Sequence, residues 1–88
     1  KKKNIRCGKY ITEVALVEDN IKALKRHKMN GQIVIVWSAG GYKWAESVVK
    51  SLGLSLFVDV AMSKPTWYYD DIPCQKWMGK PRWGGDRR

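Results

Sequence analysis

Four polar residues in the second half of the chain have side chains suited to binding a phosphate group together with a divalent cation: Ser38, Lys64, Asp70 and Asp71. The serine hydroxyl can donate to a phosphate oxygen, as can the backbone amides of Ala39, Gly40 and Gly41. The lysine supplies a compact positive charge. Two consecutive carboxylates can hold Mg²⁺, which prefers oxygen ligands and keeps several waters.

Each of these residues also has a purely structural interpretation. Ser38 before two glycines is ordinary turn chemistry, Lys64 suits a solvated loop, and Asp70-Asp71 before Ile-Pro can open a turn. What favours a site is their position relative to the elements around them.

The sequence predicts alternating helices and strands. Apolar residues at intervals of three and four predict one helix from Thr12 to Met29 and another from Tyr42 to Leu52. The run Ile33–Trp37 does not alternate, which predicts a strand buried on both faces of a parallel sheet. Further strands are predicted at Leu54–Ala61 and Thr66–Tyr69.

This order predicts an α/β fold: a three-layer α/β/α sandwich with a parallel, Rossmann-like sheet. Ligands of such sheets bind at the carboxyl ends of the strands. Ser38 closes the first predicted strand, Lys64 follows the second, and Asp70 and Asp71 close the third. All four are therefore expected at one sheet edge.

These segments resemble the haloacid dehalogenase-like superfamily, whose members are mostly phosphohydrolases. Ile33–Ser38 looks like its second motif, an apolar strand ending in Ser or Thr, and Lys64–Asp71 looks like the fused third and fourth motifs of its small members. The resemblance implies that Ser38 binds the transferring phosphoryl group and that Lys64 steadies the nucleophile and the phosphate charge. It implies Mg²⁺ as cofactor, held by Asp70, Asp71 or both.

The chain departs from the family at the first motif, an Asp-x-Asp that supplies the nucleophile and the general acid/base. Lys1–Ile11 stands where that motif and its strand are expected, and it contains no acidic residue and no strand pattern. In the family this strand lies between the strands corresponding to Ile33–Trp37 and Trp67–Asp70. We therefore expect the missing strand to come from an upstream segment or a partner chain, and the isolated chain to be inactive; a rearranged fold is the other alternative.

Length and charge limit the other possibilities. The chain has 88 residues, enough for one domain, and a net charge of +9 from 17 Lys+Arg and 8 Asp+Glu. The basic residues concentrate at the two ends of the chain and at the end of the first helix, whereas Gly31–Asp71 is near neutral. The ends can contact nucleic acid or can simply be solvated.

Two cysteines, Cys7 and Cys74, and the single His27 are too few for a zinc site.

We thus divide the chain into a basic segment at 1–11, an α/β core at 12–73 and an irregular basic tail at 74–88. No apolar run is long enough to span a membrane, and we expect a cytoplasmic protein with no membrane partner. The first functional hypothesis is a capless Mg²⁺-dependent phosphohydrolase acting on a phosphate monoester, with a nucleotide or polynucleotide end favoured by the basic ends. The alternative is a non-catalytic basic module that docks nucleic acid or an acidic protein.

Overall fold

The chain begins with a β-hairpin, which the sequence patterns did not predict. In the computed structural model, which describes residues 1–79, β1 (Lys2–Cys7) pairs antiparallel with β2 (Tyr10–Ala15). Gly8 takes a positive φ of 62°, as the first central residue of a two-residue hairpin turn can. The expectations of a helix starting at Thr12 and of no strand in Lys1–Ile11 are therefore wrong. The predicted segment boundary between residues 11 and 12 falls within β2.

Helix α1 (Glu18–Met29) covers the last two thirds of the predicted first helix. Its first turn carries Glu18 and Asp19, and its last turn carries basic residues, so both ends complement the helix dipole. The predicted end is confirmed, because the helix stops before Asn30 and Gly31 continues with a positive φ of 82°. Val14 fits the helical spacing by chance, since β1 offers its backbone a ladder partner instead.

A β-α-β unit follows, formed by β3 (Ile35–Ser38), α2 (Tyr42–Ser51) and β4 (Val60–Ser63). The two strands are parallel, and their register pairs Ile35 with Val60 and Ser38 with Ser63. The predicted parallel crossover is thus confirmed, although both strands begin later than predicted. Short 3₁₀ turns occupy Ser55–Phe57 and Cys74–Lys76.

The third predicted strand, Thr66–Tyr69, is not a strand in this structure. Its aromatic residues favour extended backbone, but a strand also needs a neighbour for its backbone hydrogen bonds. Within residues 1–79 the second sheet has two strands only, β3 and β4. The segment is instead part of a loop, and its side chains line the pocket described below.

The small core lies around α2, which packs against β1 on one side and against β3 and β4 on another. Its buried apolar side chains come from the hairpin, from α2 and from the residues after it: Ile5, Ala45, Val49 and Leu54. Helix α1 contacts the Ser55–Phe57 turn, where the Lys25 ammonium lies 5.2 Å from the centre of the Phe57 ring.

The other face of β3 is not covered by the described residues. The side chains of Ile33, Ile35 and Trp37 are 78%, 47% and 48% exposed, so the prediction of a strand buried on both faces is wrong for this structure. Residues 1–79 form a small mixed α/β fold with two helices and two small sheets, one of them a parallel pair. Neither of these helices is long and apolar enough to cross a membrane.

Candidate functional site

The carboxyl ends of β3 and β4 bring two of the predicted site residues together. Ser38 ends β3, and its carbonyl oxygen accepts a hydrogen bond of 2.9 Å from the backbone amide of Lys64. This bond continues the parallel ladder one residue past β4. A hydroxyl-bearing and an ammonium-bearing residue thus lie side by side at the sheet edge where ligands of parallel sheets bind.

The turn between β3 and α2 is organised by the Ser38 hydroxyl. Its Oγ accepts a hydrogen bond of 2.9 Å from the Gly40 amide, and the Ser38 carbonyl accepts another, of 3.1 Å, from the Gly41 amide. The Gly40 amide, predicted as a phosphate donor, is therefore used within the turn. The hydroxyl keeps its own hydrogen for donation, because it can donate once as well as accept.

Gly41 precedes α2 with a φ of 103°, a conformation that side chains disfavour, and this lets the chain turn sharply from Gly40 into the helix. The helix therefore begins next to the strand ends. A helix N-terminus carries partial positive charge and favours anions.

A second serine at this edge was not predicted from the sequence. Ser63 ends β4 opposite Ser38, and its Oγ accepts a hydrogen bond of 2.9 Å from the amide of Tyr42, the first residue of α2. The sequence could have indicated it, because Ser63 immediately precedes Lys64, a predicted site residue. It was missed because the predicted strand ended at Ala61.

Lys64 and Asp70 line a common pocket of about 500 Å³ beside the strand ends. Ser38 and Asp71 are not part of its lining, although Trp37, the neighbour of Ser38, is. Its other walls are chiefly aromatic and come from the 66–69 loop and the 74–78 segment, among them Trp67, Tyr68, Tyr69 and Trp77. The structure thus bonds the Lys64 amide to Ser38 and places Lys64 in the same pocket lining as Asp70. Asp71 lies outside that lining, and Lys64, Asp70 and Asp71 are all exposed.

The carboxylate of Asp70 is held in its charged form. Its Oδ1 accepts a hydrogen bond of 3.1 Å from the Ile72 amide, and this bond lowers the pKa of Asp70. Residues 1–79 contain no group of three or more His, Cys, Asp and Glu side chains placed to hold a metal ion. Asp70 and Asp71 offer two carboxylates, and Mg²⁺ is commonly bound by one or two carboxylates with waters and substrate phosphate. Of these two carboxylates, only that of Asp70 lines the pocket.

The segment after Pro73 is tied to the pocket loop. Trp77 donates from its ring Nε1 to the Ile72 carbonyl oxygen at 3.4 Å. The neighbouring Cys74 thiol raises the pKa of Tyr68. Tyr68, Cys74 and Trp77 all line the pocket. The rest of the predicted basic tail, from Lys80 to Arg88, lies outside the described residues.

Asp59, the other acidic residue near a strand of the parallel sheet, lies at its opposite end. Its Oδ1 accepts a hydrogen bond from Lys28 Nζ at 2.7 Å, and its Oδ2 accepts one from the Val34 amide at 2.8 Å. These two bonds lower the pKa of Asp59. The residue ties the end of α1 to the start of the parallel sheet and takes no part in the site.

The basic residues at the start of the chain and in the hairpin are exposed and do not belong to the pocket lining: Lys1, Lys2, Lys3, Arg6 and Lys9. Lys1 approaches Glu18 at 3.8 Å, an exposed ion pair. His27, at the end of α1, is exposed and lies 2.6 Å from the Gln32 side chain, as expected for a solvated helix-end residue.

Comparison of the chain with protein-family models, with curated proteins and with solved structures gave no match. The function is therefore argued from the geometry of the site.

Proposed function

We propose that the carboxyl ends of β3 and β4 form the phosphate-binding part of a Mg²⁺-dependent phosphohydrolase of the haloacid dehalogenase-like type, acting on a phosphate monoester. The observation that carries this proposal is the 2.9 Å bond between the Ser38 carbonyl and the Lys64 amide. It holds a hydroxyl donor and a cationic residue at one strand end, and the same lysine shares a pocket with the Asp70 carboxylate.

Each residue has a distinct role in the proposal. The Ser38 hydroxyl donates to a phosphoryl oxygen while Gly40 fixes its orientation, and the start of α2 adds partial positive charge. The Lys64 ammonium neutralises charge on the phosphoryl group. Asp70, with Asp71 directly or through water, holds Mg²⁺, which when bound supplies further neutralisation of the phosphate oxygens.

The nucleophile is not among the described acidic residues at this edge. Asp59 is paired with Lys28 at the other end of the sheet, and Asp19 belongs to the first turn of α1. We therefore propose that the catalytic aspartate lies on another strand, supplied by an upstream segment or a partner chain. The 88-residue chain by itself is expected to bind phosphate without turning over a phosphate ester.

The free edge and uncovered face of β3 support this further strand. β3 pairs only with β4 among residues 1–79, so its outer edge has no strand partner there. Parallel sheets are normally covered on both faces, and a two-stranded sheet is seldom stable alone. A strand beside β3 would pair this edge, and an added layer would cover Ile33 and Ile35. The three-layer sandwich is proposed on this basis.

Phosphate binding by the 88-residue chain tests the proposal. Calorimetric titration with inorganic phosphate in the presence of Mg²⁺ should give a measurable affinity that Ser38→Ala and Lys64→Met each weaken about tenfold, the loss expected for one charge-assisted hydrogen bond. Lys22→Met, on the exposed face of α1, and Ser47→Ala, within α2, are the matched controls and should change nothing. Equal affinity in all variants would overturn the phosphate site.

The basic hairpin favours a second candidate, a non-catalytic module that docks nucleic acid or an acidic protein partner. Lys2 and Arg6 lie on one face of β1, Lys3 lies on the other, and Lys9 is in the hairpin turn. For such a module, oligonucleotide affinity should fall steeply as the salt concentration rises. Replacing Lys2 and Arg6 by Gln should reduce the slope of log affinity against log salt concentration by about one for each phosphate that is no longer neutralised. Salt-sensitive binding without any effect of Ser38→Ala or Lys64→Met on phosphate would favour the module.

A further inference from the structure

We infer that the aromatic pocket beside Lys64 binds a nucleobase, so that the ligand of this site is a nucleotide, either free or at the end of a nucleic-acid strand. Only the binding of the nucleotide's phosphate rests on the proposed function. The binding of its base is argued from the pocket alone.

The size and lining of the pocket suit a planar ring. Its volume of about 500 Å³ lies within the range of small-molecule sites. Trp37 comes from the end of β3, Trp67 and Tyr69 come from the loop after β4, and Trp77 comes from the segment beyond Pro73. Four aromatic rings from three separate segments therefore surround one space.

Two of these rings present flat, solvent-facing surfaces. The rings of Trp67 and Tyr69 stack on each other with centroids 5.4 Å apart and planes 19° apart. Trp67 is 74% exposed and Tyr69 is 91% exposed, although such large aromatic side chains are normally covered. A preformed exposed stack offers a further ring a face on which to continue the stack, as nucleobases do on aromatic side chains.

The charged groups of the pocket distinguish a nucleobase from other aromatic-site ligands. Lys64 would repel a quaternary ammonium, the usual ligand of an aromatic cage. Lys64 can donate to a phosphate oxygen of a ligand whose ring lies among the aromatic side chains. A ligand with a flat ring and an anionic end matches these features.

The pocket meets the proposed phosphate end through Lys64. Trp37 and Ser38 are consecutive in β3, so their side chains lie on opposite faces of the strand, and Ser38 is not part of the pocket lining. Lys64 belongs to that lining, and its amide is bonded to the Ser38 carbonyl. A ligand with its ring among the aromatic side chains would therefore meet the strand ends with its phosphate at Lys64.

Titrations followed by tryptophan fluorescence and calorimetry test this inference on the 88-residue chain. The probes are adenosine, AMP, ribose 5-phosphate and inorganic phosphate. Adenosine should bind, and AMP should bind at least tenfold more tightly than ribose 5-phosphate. Trp67→Ala should weaken adenosine and AMP about tenfold and leave inorganic phosphate unchanged, while Trp67→Phe should retain most of the affinity.

Tyr69→Ala provides a second variant at a position exposed enough for the fold to tolerate, and Tyr10→Ala, an exposed aromatic residue outside the pocket, is the control. The nucleobase site is overturned if adenosine does not bind, or if AMP and ribose 5-phosphate bind equally and Trp67→Ala affects neither. If adenosine and AMP bind equally, both depend on Trp67, and Lys64→Met has no effect, the base site stands and the proposed phosphate function fails.

Short oligonucleotides carrying a 5′-phosphate, a 3′-phosphate or only hydroxyl ends distinguish the two sources of the nucleotide. Tighter binding of one phosphorylated strand than of AMP assigns the site to a strand end, and the reverse order assigns it to a free nucleotide. Either result supports the base pocket provided that Trp67→Ala weakens it. Oligonucleotide binding that Trp67→Ala leaves unchanged counts against the pocket.

Discussion

Ser38 and Ser63 end neighbouring parallel strands in register, and their hydroxyls fix the two sides of the same turn. Ser38 Oγ accepts from the Gly40 amide and Ser63 Oγ accepts from the Tyr42 amide, each at 2.9 Å. Sheet and helix are therefore joined by two side chains at the place where a phosphate is proposed to bind. The two serines differ in what their replacement should do.

Ser63→Ala should lower the free energy of unfolding by about 1 kcal/mol, because Tyr42 loses the acceptor that caps the start of α2. Urea denaturation measures this change. Ser47→Ala is the control, since Ser47 bonds only to the Lys43 carbonyl within the helix and alanine favours the helix. A destabilisation of similar size in both variants would mean that Ser63 does not act as a cap.

Ile5→Ala should lower the free energy of unfolding by about 3 kcal/mol, because Ile5 is fully buried in the small core around α2. Ile33→Ala makes the same chemical change at a side chain that is 78% exposed, and it should change stability by less than about 0.5 kcal/mol. Both are read from urea denaturation. Equal costs would show that the hairpin does not pack as described.

The Lys28–Asp59 pair predicts a pH dependence of stability. The hydrogen bond from Lys28 lowers the pKa of Asp59, so the folded state binds this proton less tightly than the unfolded state. The stabilisation is fully present above the unfolded pKa of about 3.9 and is lost as the pH falls through the lower, folded value.

Asp59→Asn should therefore flatten the stability profile below about pH 4, as measured by urea denaturation across a pH series. Lys28→Met should remove part of the same dependence, and Lys22→Met on the same helix should leave it intact. An unchanged profile in Asp59→Asn would contradict the assignment.

The outer edge of β3 predicts a pattern of amide exchange. The carbonyls of Val34 and Ser38 accept from residues at the two ends of β4, so every second residue of β3 turns toward β4. The amides of Ile35 and Trp37 then face the outer edge, and in the 88-residue chain they should exchange at least tenfold faster than that of Val36. Equal protection would mean that the edge is already covered, and a further strand would then have no place beside β3.

Asp71→Asn should weaken Mg²⁺ binding severalfold in the presence of phosphate, measured by calorimetry, while leaving the fold unchanged because Asp71 is exposed. Asp19→Asn removes a carboxylate far along the chain and serves as the control. An unaltered Mg²⁺ affinity in Asp71→Asn would count against Asp71 as part of the metal site.

Local patterns were sufficient for part of this molecule. The spacing of apolar residues in Tyr42–Leu52 and the β-branched run before Ser38 predicted a strand followed by a helix, and the structure has both. The carboxyl-end rule for parallel sheets placed Ser38 beside Lys64 from the order of the elements alone. These features are local, or follow from the order of elements, so a single sequence contains them.

What only the tertiary structure decided depends on pairing between distant residues. The periodicity of Val14, Val17, Ile21 and Leu24 fits a helix, yet Thr12–Ala15 pairs with β1 because a turn at Gly8 brings the two segments together. Thr66–Tyr69 has strand-forming residues but pairs with no strand among residues 1–79, and its aromatic rings line a pocket instead. Residue types and order thus determined the chemistry available at the sheet edge. The partners available for backbone hydrogen bonds determined which segments became strands, and therefore the shape of the site.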